Sequence, residues 1–254
     1  KAQFDRSTNE ENAGFEPLSQ GKYTHRLTGR SGYLLSFIPS KDAVWFRTPK
    51  VGSRSIDAML SEHFSDYLYG GHECAVPERK LDGLFCFGFV RNPVSRMVSL
   101  HRNKVINTND LGISEMERGE LRDFNAFIEW IAAHDLTKCD GHWRLQTRLL
   151  NCERMDFIGR LESFDSDWNA LVRQLDWGMT KPLVKKNRSQ AQHDGVLQTK
   201  FRRIVTLYRE DFEAFYPDEI AERGGGMAEL LEDVGYIEGQ MQRFLENHNL
   251  NAPV

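Results

Sequence analysis

Residues 44–56 (VWFRTPKVGSRSI) contain the side chains of this sequence that are best suited to chemistry. An apolar run of strand length leads into a short turn, after which Ile56, Leu60 and Phe64 recur at helical spacing. A glycine and two serines in such a turn let backbone N–H groups and hydroxyls converge on an anion at the helix N-terminus. Lys50 adds a mobile positive charge. The pattern predicts a strand, a phosphate-binding loop and a helix.

The loop differs from the nucleoside-triphosphate pattern G-x-x-x-x-G-K-[ST], because its lysine precedes the glycine and the loop is short. A second element begins at residues 84–90 (LFCFGFV), an apolar run of strand length that leads into RNPVSRMVS. Pro93 suits the first turn of a helix. Arg91 is therefore expected at the end of a strand, with Arg96 and Ser99 on the helix that follows.

Together the two elements resemble the sulfotransferases that use 3′-phosphoadenosine 5′-phosphosulfate (PAPS). The matching motifs are Pro-Lys-x-Gly-Ser-x-Ser at residues 49–55 and Arg-x-Pro-x-x-Arg-x-x-Ser at residues 91–99. In that family the first loop holds the 5′-phosphosulfate, and the arginine and serine of the second element hold the 3′-phosphate. The resemblance implies PAPS as cofactor, 3′-phosphoadenosine 5′-phosphate as product, and a P-loop-like three-layer α/β fold with a central parallel sheet flanked by helices.

Shorter matches extend the resemblance along the chain. Residues 141–144 (GHWR), 155–164 (MDFIGRLESF) and 186–189 (KNRS) are similar to segments of the Golgi carbohydrate sulfotransferases and their bacterial relatives. Residues 69–72 (YGGH) resemble the Gly-His segment of the heparan sulfate 2-O-sulfotransferases. These matches imply a hydroxyl acceptor, with a glycan or glycoconjugate favoured.

The resemblance also assigns roles toward the cofactor. Lys50 is expected to stabilise the bridging oxygen as the phosphate leaves, and Arg91 offers a guanidinium fork to the 3′-phosphate. Arg96 either contacts the ligand or only braces the helix. The other expected cofactor-binding residues are Val51, Gly52, Ser53, Arg54, Ser55, Ser99, Lys186 and Arg188.

An alcohol acceptor needs a general base to remove its proton as sulfur is attacked. His72 is the first candidate, because histidine titrates near neutral pH and its Gly-Gly-His context resembles the base of the 2-O-sulfotransferases. His142 is the second, since its neighbour Trp143 also fits a packing role, and Glu162 is the third. The expected catalytic residues are thus Lys50, His72 and His142.

The composition fits a globular α/β enzyme and argues against several other classes. The 254 residues carry a net charge of −4, which argues against general nucleic-acid binding but allows a local basic cleft. No apolar run approaches the roughly 20 residues of a membrane span. The four cysteines form no C-x-x-C pair and lack the usual zinc spacing with histidine, so we expect no metal and leave disulfides open.

Strands that alternate with helices predict a parallel sheet whose carboxyl edge carries both phosphate motifs. We expect an N-terminal arm at residues 1–32, a sulfotransferase domain at 33–223 and a C-terminal helical extension at 224–254. The apolar stripe of the extension has to be buried on the domain or on a second copy, which allows a homo-oligomer. We also expect loops at residues 65–83 and 105–122. The first of these loops carries His72, the first candidate for the general base.

Two other classes of protein stay open. A P-loop-like small-molecule kinase would share the strand, loop and helix, but it needs carboxylates for Mg²⁺, and no aspartate ends a recognisable apolar strand. A non-catalytic nucleotide- or glycan-binding module would not require Lys50 and Arg91 intact. The expected location is the cytoplasm for a bacterial protein, which we favour, or the Golgi lumen for a eukaryotic protein whose anchor precedes this sequence.

Overall fold

The computed structural model describes residues 16–17, 32–75, 81–108, 111–178 and 198–217. At a few of these positions, His72 among them, it describes the backbone alone. Most of the predicted N-terminal arm, the segment with Lys186 and Arg188, and the C-terminal extension lie outside the described residues. The predictions made for those parts stay predictions.

The protein has the predicted α/β fold and divides into two compact units. The first unit takes in Lys1–Val90 and Lys138–Lys186, and the second takes in Arg91–Thr137 and Asn187–Val254. A six-stranded sheet with the order β1-β4-β2-β3-β5-β6 lies in the first unit. Its strands are β1 (Glu16–Pro17), β2 (Tyr33–Ile38), β3 (Ala43–Phe46), β4 (Leu68–Ala75), β5 (Phe85–Val90) and β6 (Phe157–Arg160).

The predicted parallel sheet is formed by β3, β5 and β6, which are neighbours and run in the same direction. Phe46 of β3 lies opposite Gly88 of β5, and Val90 of β5 lies opposite Arg160 of β6. All four residues of β3 are buried, as expected for a strand covered on both faces. The carboxyl ends of β3 and β5 therefore lie at the same edge of the sheet.

Strand β4 corrects the expectation of a loop around His72. It pairs antiparallel with β2, with Leu34 opposite Glu73, so His72 is a strand residue. The two glycines of this segment are typical of a loop, but Gly70 allows β4 to pair closely with β2. A β-carbon there would lie 2.1 Å from the carbonyl oxygen of Leu35, so only glycine allows this close approach beside a β-bulge.

Strand β2 was not predicted either, and it extends the parallel strands with an antiparallel neighbour. It joins β3 through a 3-10 turn at Pro39–Lys41, after which Asp42 adopts a left-handed conformation with φ 45°. The hairpin pairs Ser36 with Trp45. Its sequence, YLLSFI, is an apolar run of strand length, and pairing with β3 and β4 places it inside the sheet.

The core of the first unit lies between the sheet and two helices, α1 (Ser53–His63) and α6 (Phe164–Gln174). Trp45 of β3 stacks on Phe87 of β5, with ring centroids 6.5 Å apart. Phe89 of β5 stacks on Trp168 of α6 at 6.1 Å. The alternate residues of β5 thus meet the apolar faces of both helices. A short helix, α5 (Gln146–Leu149), and a 3-10 turn at Cys152–Arg154 lead into β6.

The described residues of the second unit are helical. Its helices are α2 (Pro93–His101), α3 (Glu115–Leu121), α4 (Phe124–Ala132), α7 (Gln198–Leu207) and α8 (Arg209–Phe215). Helix α7 packs against α2 and α4. The hydroxyl of Tyr208 donates to the sulfur of Met97 at 3.2 Å, which ties the α7–α8 junction to α2. Across the described ranges no helix is both long and apolar enough to cross a membrane.

Two boundaries in the second unit differ from expectation. The predicted polar loop at 105–122 contains α3, which begins with a capping box: the Ser114 hydroxyl accepts from the N–H of Glu117, and the Glu117 carboxylate accepts from the N–H of Ser114. The beginning of the same predicted loop belongs to a π-helical segment, Arg102–Asn107, which continues α2. The apolar periodicity of residues 197–215 predicts one long amphipathic helix, but the structure divides it at Tyr208 into α7 and α8.

Glycine at position 159 of β6 is expected to be indispensable for packing. A β-carbon there would lie 2.3 Å from Cε1 of Phe89, so Gly159→Ala should lower the free energy of unfolding by about 1–3 kcal/mol through overpacking. Gly119→Ala is the matched control. It lies inside α3 with nothing within 4 Å of the added carbon, so it should stabilise by up to about 1 kcal/mol. Urea unfolding of both variants measures this, and equal effects would contradict the packing argument.

Candidate active site

The loop between β3 and α1 holds Lys50 in a left-handed backbone conformation. The φ of Lys50 is 72°, and the φ of Gly52 is 78°. Such a conformation costs a residue with a β-carbon roughly 1–2 kcal/mol. Between these two residues, Val51 is fully buried in the core of the first unit, whereas Lys50 is only half-buried. The burial of Val51 anchors the loop and so compensates for the strain at Lys50.

The amino end of α1 is arranged so that its first amides can face a ligand. Gly52 is the N-cap and has no side chain with which to cap the first turn. The Ser53 hydroxyl donates to the carbonyl oxygen of Thr48 at 2.6 Å, which closes the loop across its base. The first N–H groups of a helix point out of its N-terminus at the positive end of the helix dipole. The structure therefore has the predicted order of strand, loop and helix, and phosphate binding by the loop stays a prediction.

Arg91 is anchored by the first turn of α2. Its Nε donates to the Ser95 hydroxyl at 2.9 Å, and that hydroxyl donates to the carbonyl oxygen of Asn92 at 3.1 Å. The Asn92 side chain in turn caps the helix by accepting from the N–H of Val94 at 3.0 Å. One chain of hydrogen bonds thus fixes the guanidinium of Arg91 on α2. Ser95 and Ser99 are four residues apart, so both lie on the same face of this helix.

Lys50 belongs to the first unit and Arg91 to the second. The strands that precede them are nevertheless neighbours in the sheet. After β3 the chain reaches Lys50 four residues beyond Phe46, and after β5 it reaches Arg91 directly from Val90.

His142 lies in a tight turn formed by residues 139–144, which we call the His142 turn. Oδ1 of Asp140 accepts from the backbone N–H of His142 at 2.8 Å and lies 2.7 Å from Nδ1 of the same residue. The N–H groups of Trp143 and Arg144 donate to the Asp140 carbonyl oxygen, at 3.1 and 2.9 Å. The side chain of His142 is 35% exposed.

The neighbours of His142 fix the turn to the first unit. Trp143 and Arg144 are both buried. Arg144 Nε donates to the carbonyl oxygen of Cys139 at 2.8 Å, and its guanidinium forms an ion pair with Glu73 of β4 at 3.3 Å. A methyl group on Gly141 would lie 3.7 Å from Cγ of Pro49, the residue before Lys50. The turn therefore packs directly on the loop that carries the lysine.

The remaining predicted residues fall into several environments. Arg96 is fully buried in α2, which favours its role as a brace of the helix. Glu162 is exposed on the segment before α6, and His72 is placed only as a backbone position of β4. Arg54 is exposed, Ser53, Ser55 and Ser99 are half-buried, and Lys186 and Arg188 lie outside the described residues.

Three side chains with shifted pKa values have structural explanations. Burial lowers the pKa of His101, whose Nε2 bonds the carbonyl oxygen of Leu121 at 2.8 Å. Burial also raises the pKa of the Tyr67 hydroxyl and raises the pKa of the Cys86 thiol to about 11. The thiol therefore stays protonated near neutral pH. Among the described residues, no group of three or more His, Cys, Asp or Glu side chains is placed to hold a metal ion.

A family comparison decides the class of this protein. The profile described as "Sulfotransferase family" matches residues 37–217, well over half of the chain. The chain belongs to the sulfotransferase family. The match spans both phosphate motifs and the His142 turn.

Two curated relatives of this sulfotransferase are similar along much of its length. They are carbohydrate sulfotransferase 14 of Homo sapiens and of Mus musculus, each 24% identical over 189 residues, which cover 65% of this chain. The aligned part is 49% of each relative, so the sulfotransferase chain spans about half the length of the curated proteins it matches. No solved structure is significantly similar to it.

Sequence reasoning missed two residues that the sulfotransferase uses to hold candidate site residues. Ser95 orients Arg91, and Asp140 orients His142. The signals were present in the spacing. Ser95 lies four residues after Arg91, which is one helical turn, and Asp140 lies two residues before His142, the spacing of an Asx-turn.

The left-handed conformation of Lys50 predicts an unusual order of stability among its variants. Glycine adopts φ 72° without steric cost, so Lys50→Gly should be more stable than Lys50→Ala by about 1 kcal/mol in urea unfolding, although both lose the ammonium group. The same pair of changes at Lys41, which is not left-handed, should give the opposite order. If the glycine variant is less stable than the alanine variant at both positions, the backbone of Lys50 is not strained.

Proposed function

We propose that this sulfotransferase moves the sulfuryl group of PAPS to a hydroxyl group of a carbohydrate. The single observation that carries the proposal is the Lys50 loop. A strained lysine and an uncapped helix N-terminus face the same short turn, which suits a dianionic phosphate next to a leaving group. Membership of the sulfotransferase family supports the reaction, and the two carbohydrate sulfotransferases support the acceptor class.

The residues present fit a nucleotide that carries phosphates at the 3′ and 5′ positions of its ribose. The first loop offers the backbone amides of Gly52 and Ser53 and the hydroxyl of Ser55 to the 5′-phosphate, while the Ser53 hydroxyl closes the loop on Thr48. Arg91, held by Ser95, and Ser99 on the same helix offer a fork and a hydroxyl to the 3′-phosphate. The two motifs follow β3 and β5, which are parallel neighbours in the sheet.

In this proposal the protein acts by positioning and by neutralising charge. PAPS, when bound, supplies an activated sulfuryl group. Lys50 donates to the oxygen that links sulfur to phosphorus, and its positive charge stabilises that oxygen as it becomes anionic. The amides of α1 hold the phosphate still. A histidine, His72 or His142, accepts the proton of the attacking hydroxyl.

Other parts of the proposal rest on the sequence alone. Lys186 and Arg188 would add positive charge around the cofactor. A second copy of the chain would bury the apolar stripe of residues 224–254. The cytoplasmic location has no support from the two relatives and stays a prediction of the sequence.

The proposal predicts that Lys50 and Arg91 act on different steps. Lys50→Ala should lower kcat by at least about 10²–10³-fold while the affinity for 3′-phosphoadenosine 5′-phosphate changes little. Arg91→Ala should weaken that affinity by about 10–100-fold, because a charge-assisted contact to the 3′-phosphate is lost. Titration calorimetry with this nucleotide and with AMP, which lacks the 3′-phosphate, measures both effects.

The comparison of the two nucleotides makes the assignment of Arg91 specific. Arg91→Ala should bind AMP as well as the wild type does, so that the preference for the 3′-phosphate disappears. The matched control is Arg122→Ala, an exposed arginine at the end of α3, which should leave both affinities unchanged. An unchanged preference in Arg91→Ala would remove the 3′-phosphate assignment.

Sulfuryl transfer should not require a divalent metal, since Lys50, Arg91 and a helix N-terminus meet the phosphate charges. The rate of transfer from ³⁵S-labelled PAPS should be the same in excess EDTA and in Mg²⁺. A loss of transfer in EDTA that Mg²⁺ restores would contradict this expectation and support the kinase-like alternative.

A further inference from the structure

The His142 turn contains a carboxylate–imidazole pair whose geometry selects one tautomer of the histidine. Oδ1 of Asp140 lies 2.7 Å from Nδ1 of His142. An ionised carboxylate only accepts hydrogen bonds, so Nδ1 must carry the proton of the neutral ring. The lone pair of the neutral ring then lies on Nε2. Within the described residues Nε2 forms no hydrogen bond, and the side chain is 35% exposed.

The surroundings of the pair keep the turn fixed while the imidazole stays accessible. The residues that follow His142, Trp143 and Arg144, are only 6% and 4% exposed. Arg144 is held by Glu73 and by the carbonyl oxygen of Cys139. This is the opposite of an ordinary surface histidine, because the backbone on both sides of His142 is anchored.

The turn also lies where a base for sulfuryl transfer is needed. A β-carbon built on Gly141 would lie 3.7 Å from Cγ of Pro49, so the residues that follow these two, His142 and Lys50, belong to neighbouring segments of the first unit. The side chain of Glu73 lies at the same place, 3.4 Å from a β-carbon built on Gly141, and its charge is met by Arg144. Among the described residues, the carboxylate of Asp140 is the charged group that bonds the imidazole of His142.

We propose that His142 is the general base and that Asp140 is its positioning residue. The inference rests on the proposed sulfuryl transfer. Nε2 of His142 takes the proton of the acceptor hydroxyl, whose oxygen forms the new bond to sulfur. The bond from sulfur to the bridging oxygen breaks, and its electron pair stays on the 5′-phosphate, where Lys50 meets the charge. The proton returns from His142 to water, and Asp140 stays ionised while it stabilises the imidazolium.

The first test reads the tautomer and needs no substrate. In ¹⁵N-edited NMR of the folded protein, neutral His142 should be protonated at Nδ1, and Asp140→Ala should shift it toward the Nε2-protonated form. Asp135→Ala is the matched control, because Asp135 accepts from Thr137 N–H and hydroxyl in the same kind of turn, at 3.0 and 2.6 Å. An Nε2-protonated His142 in the wild type, or no change in Asp140→Ala, would overturn the proposal.

The second test measures transfer from ³⁵S-labelled PAPS to a panel of desulfated glycosaminoglycans. His142→Ala should lower kcat by about 10²–10⁴-fold, and added imidazole should restore part of the loss. Asp140→Ala should lower kcat tenfold or more, and Asp135→Ala should not. Affinity for 3′-phosphoadenosine 5′-phosphate should stay at the wild-type value in all three, which also shows that they fold.

The outcomes separate this inference from the proposed function. A wild type that neither binds 3′-phosphoadenosine 5′-phosphate nor transfers sulfate would end the proposed function before any variant is compared. A wild type that transfers sulfate, together with an active His142→Ala and an inactive His72→Ala, would leave the function standing and give the role of base to His72. A His142→Ala variant that imidazole does not rescue would contradict the direct proton transfer.

Discussion

The parallel pairing of β3 with β5 is the constraint on which the rest of the structure depends. It brings the carboxyl ends of two buried strands to one edge, with Phe46 opposite Gly88. Each strand is followed by one of the two predicted phosphate motifs, a strained loop with α1 after β3 and a capped helix α2 after β5. Because β3 and β5 are buried in a stacked aromatic core, a shift in their register would also move the residues at which the two motifs begin. The stability of this core is therefore linked to the positions at which the two motifs leave the sheet.

The chain places its reactive side chains by burying their neighbours. Lys50 is followed by Val51, which is fully buried, and His142 is followed by Trp143, which is nearly so. In each case the candidate residue is only partly buried, and an adjacent apolar residue anchors its backbone. A buried neighbour also opposes the local cost of an unfavourable conformation, such as the φ of 72° at Lys50. This arrangement makes a short loop as well defined as a strand.

The parts of the fold that the sequence predicted are those with local signals. The strands and helices around Lys50 and Arg91 have apolar periodicity, and Pro93 marks the start of α2. Strand β4 was missed because its evidence is non-local: glycines such as Gly70 look like a loop until the partner strand is known to approach within a distance that only glycine tolerates. The residues of the candidate site also fall into those that the sequence predicted and those that it did not. Lys50 and Arg91 were found by motif, whereas Asp140 was missed because its role depends on the rotamer of a neighbouring side chain.

The unpredicted part of the sheet contributes to the candidate site. Strand β4 carries Glu73, which forms an ion pair with the nearly buried Arg144 of the His142 turn at 3.3 Å. Such a pair adds little net stability, because both charges lose water, but loss of one partner would leave the other charge buried and unpaired. Its effect is therefore to specify where the turn sits. In this way the antiparallel extension of the sheet holds the candidate base against the loop that carries Lys50, although neither Glu73 nor Arg144 takes part in the proposed proton transfer.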